Sequence, residues 1–184
     1  MVLPSWGDAI VADGKYYEFI GVTVGQPVQP CGTCYPSTNP SGIVYTAATP
    51  WTFTGPANLF VLDLFLSGDQ YEVFDTGVSL GQTSTPPGVE MQCGQPLVAD
   101  IACSIASPNF SRRNYILGTG PHSITINYIR TTSVAHSGGA LQLTAIPEPA
   151  GMALILAGLG MMIRARRATD TRLQSSTRES SRLR

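Results

Sequence analysis

Proline constrains this chain more than any other residue. Its ring removes the backbone donor that a sheet ladder or helix interior needs, so prolines mark where regular structure stops. All 14 prolines of the 184-residue sequence fall between short apolar runs. These runs are Tyr16–Val24, Ile43–Thr46, Trp51–Thr54, Leu59–Leu66, Tyr71–Phe74, Val78–Thr83, Tyr115–Leu117, His122–Thr131 and Ala140–Ala145. Each is rich in β-branched or aromatic residues and is bounded by Gly, Pro, Asn, Asp or Ser, the pattern of strands separated by turns.

Periodicity agrees. In His122–Thr131, Ile124, Ile126 and Tyr128 share one face while Thr125 and Asn127 share the other, and alternation by two means strand. Leu59–Leu66 is apolar on both faces except at Asp63, which suits a central strand. Ser67-Gly68-Asp69 and Asp75-Thr76-Gly77 supply turns, and Ser137-Gly138-Gly139 is expected to close a hairpin between the last two strands. No amphipathic helix is visible before residue 150 and no repeat of fixed period occurs, which argues against doubly wound, propeller and solenoid architectures. The expectation is an all-β fold, an antiparallel β-sandwich or jelly roll over residues 13–146.

Charge divides the chain unequally. Residues 1–149 carry four basic and ten acidic side chains, net −6, while residues 150–184 carry seven arginines against Asp170 and Glu179, net +5. An acidic body argues against nucleic acid as a partner, since that needs a basic surface to displace phosphate counterions.

The basic end has an ordered, three-part construction. Pro147-Glu148-Pro149 is followed by 14 uncharged residues, 150–163, and then by Arg164, Arg166 and Arg167. As a helix, that apolar stretch would span about 21 Å, short of a hydrocarbon core of about 30 Å. Such a short membrane helix would leave the arginines on the cytoplasmic side and the acidic body outside. The prolines separate it from the last strand, and it lacks the polar face of a helix packed on a soluble core.

This segment, residues 147–167, resembles the PEP-CTERM sorting signal of Gram-negative bacteria, which combines Pro-Glu-Pro, a short apolar membrane segment and a terminal Arg cluster. The resemblance implies an exported protein, held transiently in the inner membrane and processed by an exosortase-type membrane enzyme. It implies a sorted substrate, not a sorting enzyme. Residues 65–75 (FLSGDQYEVFD), 77–81 (GVSLG) and 122–126 (HSITI) are also similar to one subgroup of PEP-CTERM proteins. The family's association with extracellular polysaccharide makes such a polymer a candidate partner. The chain departs from the family pattern by continuing through residues 168–184, a polar tail rich in Ser, Thr and Arg that is expected to be disordered. Residues 1–12 lack the charged and apolar regions of an export leader and are expected to be the remnant of a truncated signal peptide, with the true start upstream.

Four cysteines, Cys31, Cys34, Cys93 and Cys103, lie in the body, and export would make disulfides their default state. Of the three possible connectivities, the local pairs Cys31 with Cys34 and Cys93 with Cys103 are favoured. A redox role for Cys31-Gly32-Thr33-Cys34 would need a helix N-terminus, and the flanking prolines make a loop instead. Zinc would need a second CxxC spacing, which Cys93 and Cys103 do not supply.

Three further constellations have chemical content. Gly77-Val78-Ser79-Leu80-Gly81 matches the G-x-S-x-G nucleophile pattern, with Asp100 and then His122 or His136 in the hydrolase order. That motif works on a strand-to-helix turn, whereas residues 82–88 (QTSTPPG) cannot be helical, so Ser79 is expected to alternate within a strand. Asp63, Asp69, Glu72 and Asp75 could bring carboxylates to one loop end, with Asp69, Glu72 and Asp75 as weak Ca²⁺ candidates in a spacing unlike an EF-hand. Trp6, Tyr16, Tyr17, Trp51 and Tyr71 could stack on sugar rings, although such residues more often pack a core. Together these readings predict a non-enzymatic surface or extracellular-matrix protein without cofactor. The alternative is a secreted hydrolase carrying the same sorting signal.

Overall fold

The structure is a computed structural model that describes residues 7–31, 44–45, 47, 49–95, 98–131 and 137–147. The chain divides into two compact units, Met1–Ile146 and Pro147–Arg184. Of the second unit only Pro147, exposed and outside regular structure, is among the described residues. The membrane helix expected at 150–163 and the tail at 168–184 lie outside them. Among the described residues no helix is long and apolar enough to cross a membrane.

The first unit is built mainly from antiparallel β-structure. Among the described residues its strands are β1 (Asp13–Gly21), β2 (Gln29–Pro30), β3 (Val44–Tyr45), β4 (Trp51–Leu66), β5 (Gln70–Asp75), β6 (Val78–Gln82), β7 (Gln92–Gln95), β8 (Val98–Ala99), β9 (Arg112–Arg130) and β10 (Ser137–Ala145), with one helix, α1 (Ile101–Ala106). The main path runs β2-β1-β10-β4-β9-β5-β6. The two-residue β3 pairs parallel to β1, and β7 and β8 form a small ladder attached to the end of β4.

The sheet curls on itself. Although β10, β4 and β9 separate β1 from β5 in the path, the Phe19 ring of β1 meets the Tyr71 ring of β5 edge-on at 5.1 Å. Tyr71 Oη also donates to the Gly138 carbonyl of β10 at 3.0 Å, so a side chain from one limb is tied to the backbone of the other. Between the limbs lies the larger core, with Phe19, Trp51, Leu59, Val61, Tyr71, Ile124, Ile126, Leu141 and Leu143 within it. Each such fully buried side chain contributes about 1.5–3 kcal/mol relative to exposure.

Strand alternation gives β1, β10 and β4 a second buried face. Tyr16, Ala140, Leu62 and Leu64 point away from the first core and pack with Cys93, Ala99, Ile101 and Phe110. A cap formed by residues 89–95 and 98–111, carrying β7, β8 and α1, therefore covers part of the outside of the sheet. The cap is stapled by the Cys93–Cys103 disulfide. Asp100 caps α1 by accepting from Cys103 N at 2.9 Å. At the other end of α1, Arg112 Nη1 donates to the carbonyls of Ile105 at 2.7 Å and Ser107 at 2.9 Å.

Several sequence expectations are corrected. Prolines do not all lie outside strands: Pro56 falls within β4 and Pro121 within β9. Pro56 is skipped where the β4–β9 register shifts between Gly55 and Ala57, whereas Pro121 stays in register opposite Thr54, just before that shift. A bulge tolerates the missing donor and bends both strands together. Gly55 is needed there, since a Cβ on it would collide with the Gly118 carbonyl.

Ser137-Gly138-Gly139 is not a hairpin turn but the start of β10, which lies between β1 and β4 and away from β9. Its two glycines make room for aromatic rings, Phe65 over Gly138 and Phe19 over Gly139. The short α1 also interrupts the expected all-strand body. Residues 8–10, assigned by sequence to a leader remnant, take part in the fold: Ile10 N donates to Thr52 O at 2.9 Å, Thr52 N to Asp8 O at 3.0 Å, and Ile10 is buried in the larger core.

Candidate functional site

The acidic residues nominated for Ca²⁺ are pulled into separate roles. Asp69 is buried and accepts from Tyr128 Oη at 3.0 Å. Glu72 accepts from Ser79 Oγ at 2.6 Å. Asp75 accepts from Ser123 N at 3.0 Å through one oxygen and lies 2.7 Å from His122 Nδ1 through the other. Among the described residues no group of three or more His, Cys, Asp or Glu side chains converges as a metal site would require. The physical reason is alternation and turn geometry, which send neighbouring acids in a hairpin to different faces.

Asp63 and Asp69 do come together, at the β4–β5 turn. Asp63 Oδ2 accepts from Gly68 N at 3.1 Å and Asp69 N at 3.2 Å, which fixes the turn. Its other oxygen, Oδ1, is buried without a hydrogen-bond partner. Burial, and then the neighbouring Asp69 charge, hold the Asp63 carboxyl well above the usual carboxylate range.

Ser79 lies exposed in β6 opposite Phe74, not on a strand-to-helix elbow. Besides its bond to Glu72, its Oγ accepts from Gly81 N at 3.1 Å. His122 is engaged elsewhere. Its Nδ1 faces Asp75, its Nε2 lies 3.0 Å from the Gly118 carbonyl, and its ring stacks on Phe53 at 5.0 Å. Burial alone would lower the His122 pKa, but Asp75 and the Gly118 carbonyl outweigh it and raise the value, because both acceptors favour the doubly protonated ring. His136 lies outside the described residues.

Among the aromatic candidates, Tyr16, Tyr17, Trp51 and Tyr71 are buried, so they pack cores and offer no face to a sugar. Trp6 lies outside the described residues. Of the cysteines, Cys93 and Cys103 form the expected disulfide, and Cys31 is disulfide-bonded and buried. Cys34 lies outside the described residues, as do Glu148, Pro149, Arg164, Arg166 and Arg167 of the sorting segment.

One residue that motif reading passed over is Glu18. It sits on β1, fully buried, and neither carboxylate oxygen has a hydrogen-bond partner. Burial pushes its pKa up to about 7. The signal was present in Tyr16-Tyr17-Glu18-Phe19-Ile20, where a charge is flanked on both sides by aromatic and aliphatic residues. No protein-family model, curated protein or solved structure matches this chain.

Proposed function

We propose that the chain is an exported, non-enzymatic surface or extracellular-matrix protein, sorted through the C-terminal segment 147–167 by an exosortase-type membrane enzyme. The observation that carries this reading is the ordered constellation Pro147-Glu148-Pro149, 14 uncharged residues, then Arg164, Arg166 and Arg167. It starts where the folded body ends, between Ile146 and Pro147. The Cys93–Cys103 disulfide supports export, since such bonds persist in oxidising compartments.

In this reading the curled antiparallel body is a β-sandwich of the jelly-roll kind, residues 150–163 form a short transmembrane helix in the inner membrane, and residues 168–184 are a disordered basic tail. The released body is acidic and associates with extracellular polysaccharide. Ser79 and Glu72 are hydrogen-bonded to each other across a hairpin, which supports a structural role for that motif over a nucleophilic one.

Fractionation with intact-mass analysis, in cells with and without the processing enzyme, tests the proposal. The expected result is an extracytoplasmic, disulfide-bonded body lacking the basic tail only when the enzyme is present. An uncut chain with reduced cysteines, found in the cytoplasm of both strains, overturns it.

A further inference from the structure

Among the described residues Met91 is the one methionine, and it lies outside both apolar clusters with 38% of its surface exposed. A thioether ordinarily fills gaps among apolar groups. This one meets polar hydrogens. Ser107 Oγ donates to Met91 Sδ at 3.2 Å, and Asn109 Nδ2 donates to it at 3.8 Å.

Both sides of this contact are fixed by the backbone. Ser107 ends α1, with its N–H donating to the Cys103 carbonyl at 3.1 Å and its own carbonyl accepting from Arg112 Nη1 at 2.9 Å. Its hydroxyl oxygen accepts from Asn109 N at 3.2 Å, which leaves the hydroxyl hydrogen for the sulfur. Met91 is held just as firmly. Its N–H donates to Ser67 Oγ and its carbonyl accepts from Ser67 N, each at 2.9 Å.

A thioether sulfur is a weak acceptor, so two directed donors are poorly matched to it. The oxidised form is the better match. In a sulfoxide the oxygen carries partial negative charge and accepts strongly, and the side chain becomes polar, which disrupts packing where a methionine sits in a core. Met91 sits in neither core, so its oxidation places a strong acceptor beside donors already in position and removes nothing from the apolar clusters.

We infer that Met91 is an oxidation site for hydrogen peroxide whose methionine sulfoxide is held by Ser107 and Asn109, so that the body takes up an oxidising equivalent without loosening its fold. A sulfur lone pair attacks one peroxide oxygen, and the O–O bond breaks. The departing hydroxide takes the proton of the transferred oxygen and leaves as water, so the sulfur is oxidised and the peroxide reduced. The Ser107 and Asn109 hydrogens that pointed at the sulfur then reach the new oxygen. A methionine sulfoxide reductase resets the site.

Peroxide treatment of the full chain, with peptide mapping by mass spectrometry and thermal denaturation before and after, tests the inference. Met91→Leu treated alongside gives the contribution of Met1, Met152, Met161 and Met162. The peptide bearing Met91 is expected to gain an oxygen at a rate within a few-fold of that of a free methionine amide in the same tube. Measured against Met91→Leu, this oxidation leaves Tm unchanged or raises it. In the double variant Ser107→Ala, Asn109→Ala the same oxidation lowers Tm, and Asn109→Ala alone serves where the double variant does not fold. Met91 left unreacted after the free amide is consumed, oxidation that lowers the parent's Tm, or equal shifts in the parent and the donor variants overturns the inference.

Discussion

The two faces of the β1, β10 and β4 layer are built from the same strands but held by different means. The inner face is enclosed by the curl of the sheet, with long ladders around it and the aromatic group Phe19, Trp51 and Tyr71 at its centre. The outer face is covered by strands of four and two residues, a six-residue helix and a covalent staple. Alternation creates two cores from one set of strands, but only continuous ladders make a core self-sufficient. Where ladders are short, a disulfide and side-chain caps supply what the backbone does not.

That difference can be broken first at the inner face. Trp51 is fully buried, lies tilted against Phe19 with ring centroids 5.9 Å apart, and donates from Nε1 to Ala47 O at 3.0 Å. Trp51→Ala is expected to cost roughly 3–5 kcal/mol and to lower the stability of the whole unit, measured by urea denaturation followed by far-ultraviolet circular dichroism. A loss below about 1 kcal/mol would show that the inner core collapses around the cavity.

Removing the staple acts on the outer face. Cys93 and Cys103 are ten residues apart, and a loop of that size stabilises by about 2–3 kcal/mol in the chain-entropy view. The double variant Cys93→Ala, Cys103→Ala is expected to lose about that much and to expose Ile101 and Phe110 while β4 and β9 remain protected. Limited proteolysis with mass mapping checks this. Cleavage that appears first in β5 or β6, with the cap intact, would contradict the division between the faces.

Much of the inner face was legible from alternation. Ile124, Ile126 and Tyr128 lie on one face of β9 as their spacing requires, and Asp63 stands alone in the otherwise apolar run Leu59–Leu66 of the central β4. The outer face was harder to see because its cap has little periodicity: four- and two-residue strands and a single turn and a half of helix leave no repeating signal. The prolines misled in one respect. Pro56 and Pro121 break runs in the sequence, but the irregularity between β4 and β9 absorbs Pro56 while Pro121 pairs in register with Thr54 beside it, and the register of a neighbouring strand is a tertiary property. Gly138-Gly139 misled similarly, because glycine supports a tight turn and a close ring contact equally well, and only the positions of Phe65 and Phe19 decide. The pairing of Asp75 with His122 joins residues 47 apart, which spacing does not reveal.

That pair sharpens the comparison at the end of β5 and the bend of β9. With His122 protonated, Nδ1–H and Nε2–H donate to Asp75 and to the Gly118 carbonyl. Since the folded-state pKa is raised, the contribution is fully present below the unfolded value of about 6.5 and is lost as pH rises through the folded value. Asp75→Asn is expected to cost roughly 1–2 kcal/mol at pH 6, through the charge-assisted bonds to His122 and Ser123 N, and less at pH 9. Thermal denaturation of both proteins across that range checks the sign. A cost that grows with pH would assign the stability to a neutral imidazole.

The smallest effect is expected at a residue that belongs to neither core. Ser79 is exposed on β6, and its hydroxyl bridges Glu72 Oε1 and Gly81 N within one hairpin. Water replaces most of what such a surface bond provides, so Ser79→Ala is expected to change stability by about 0.5 kcal/mol or less. The same variant separates the two functional readings. A nucleophile needs a base to take its proton, yet the nearest acceptor of the Ser79 hydroxyl is Glu72, and His122 is held between Asp75 and Gly118. Parent and variant should therefore give the same result on a panel of esterase substrates. An ester-cleaving activity present in the parent and abolished by Ser79→Ala would turn this hairpin from a structural edge into an active site, and the matrix reading would yield to a secreted hydrolase.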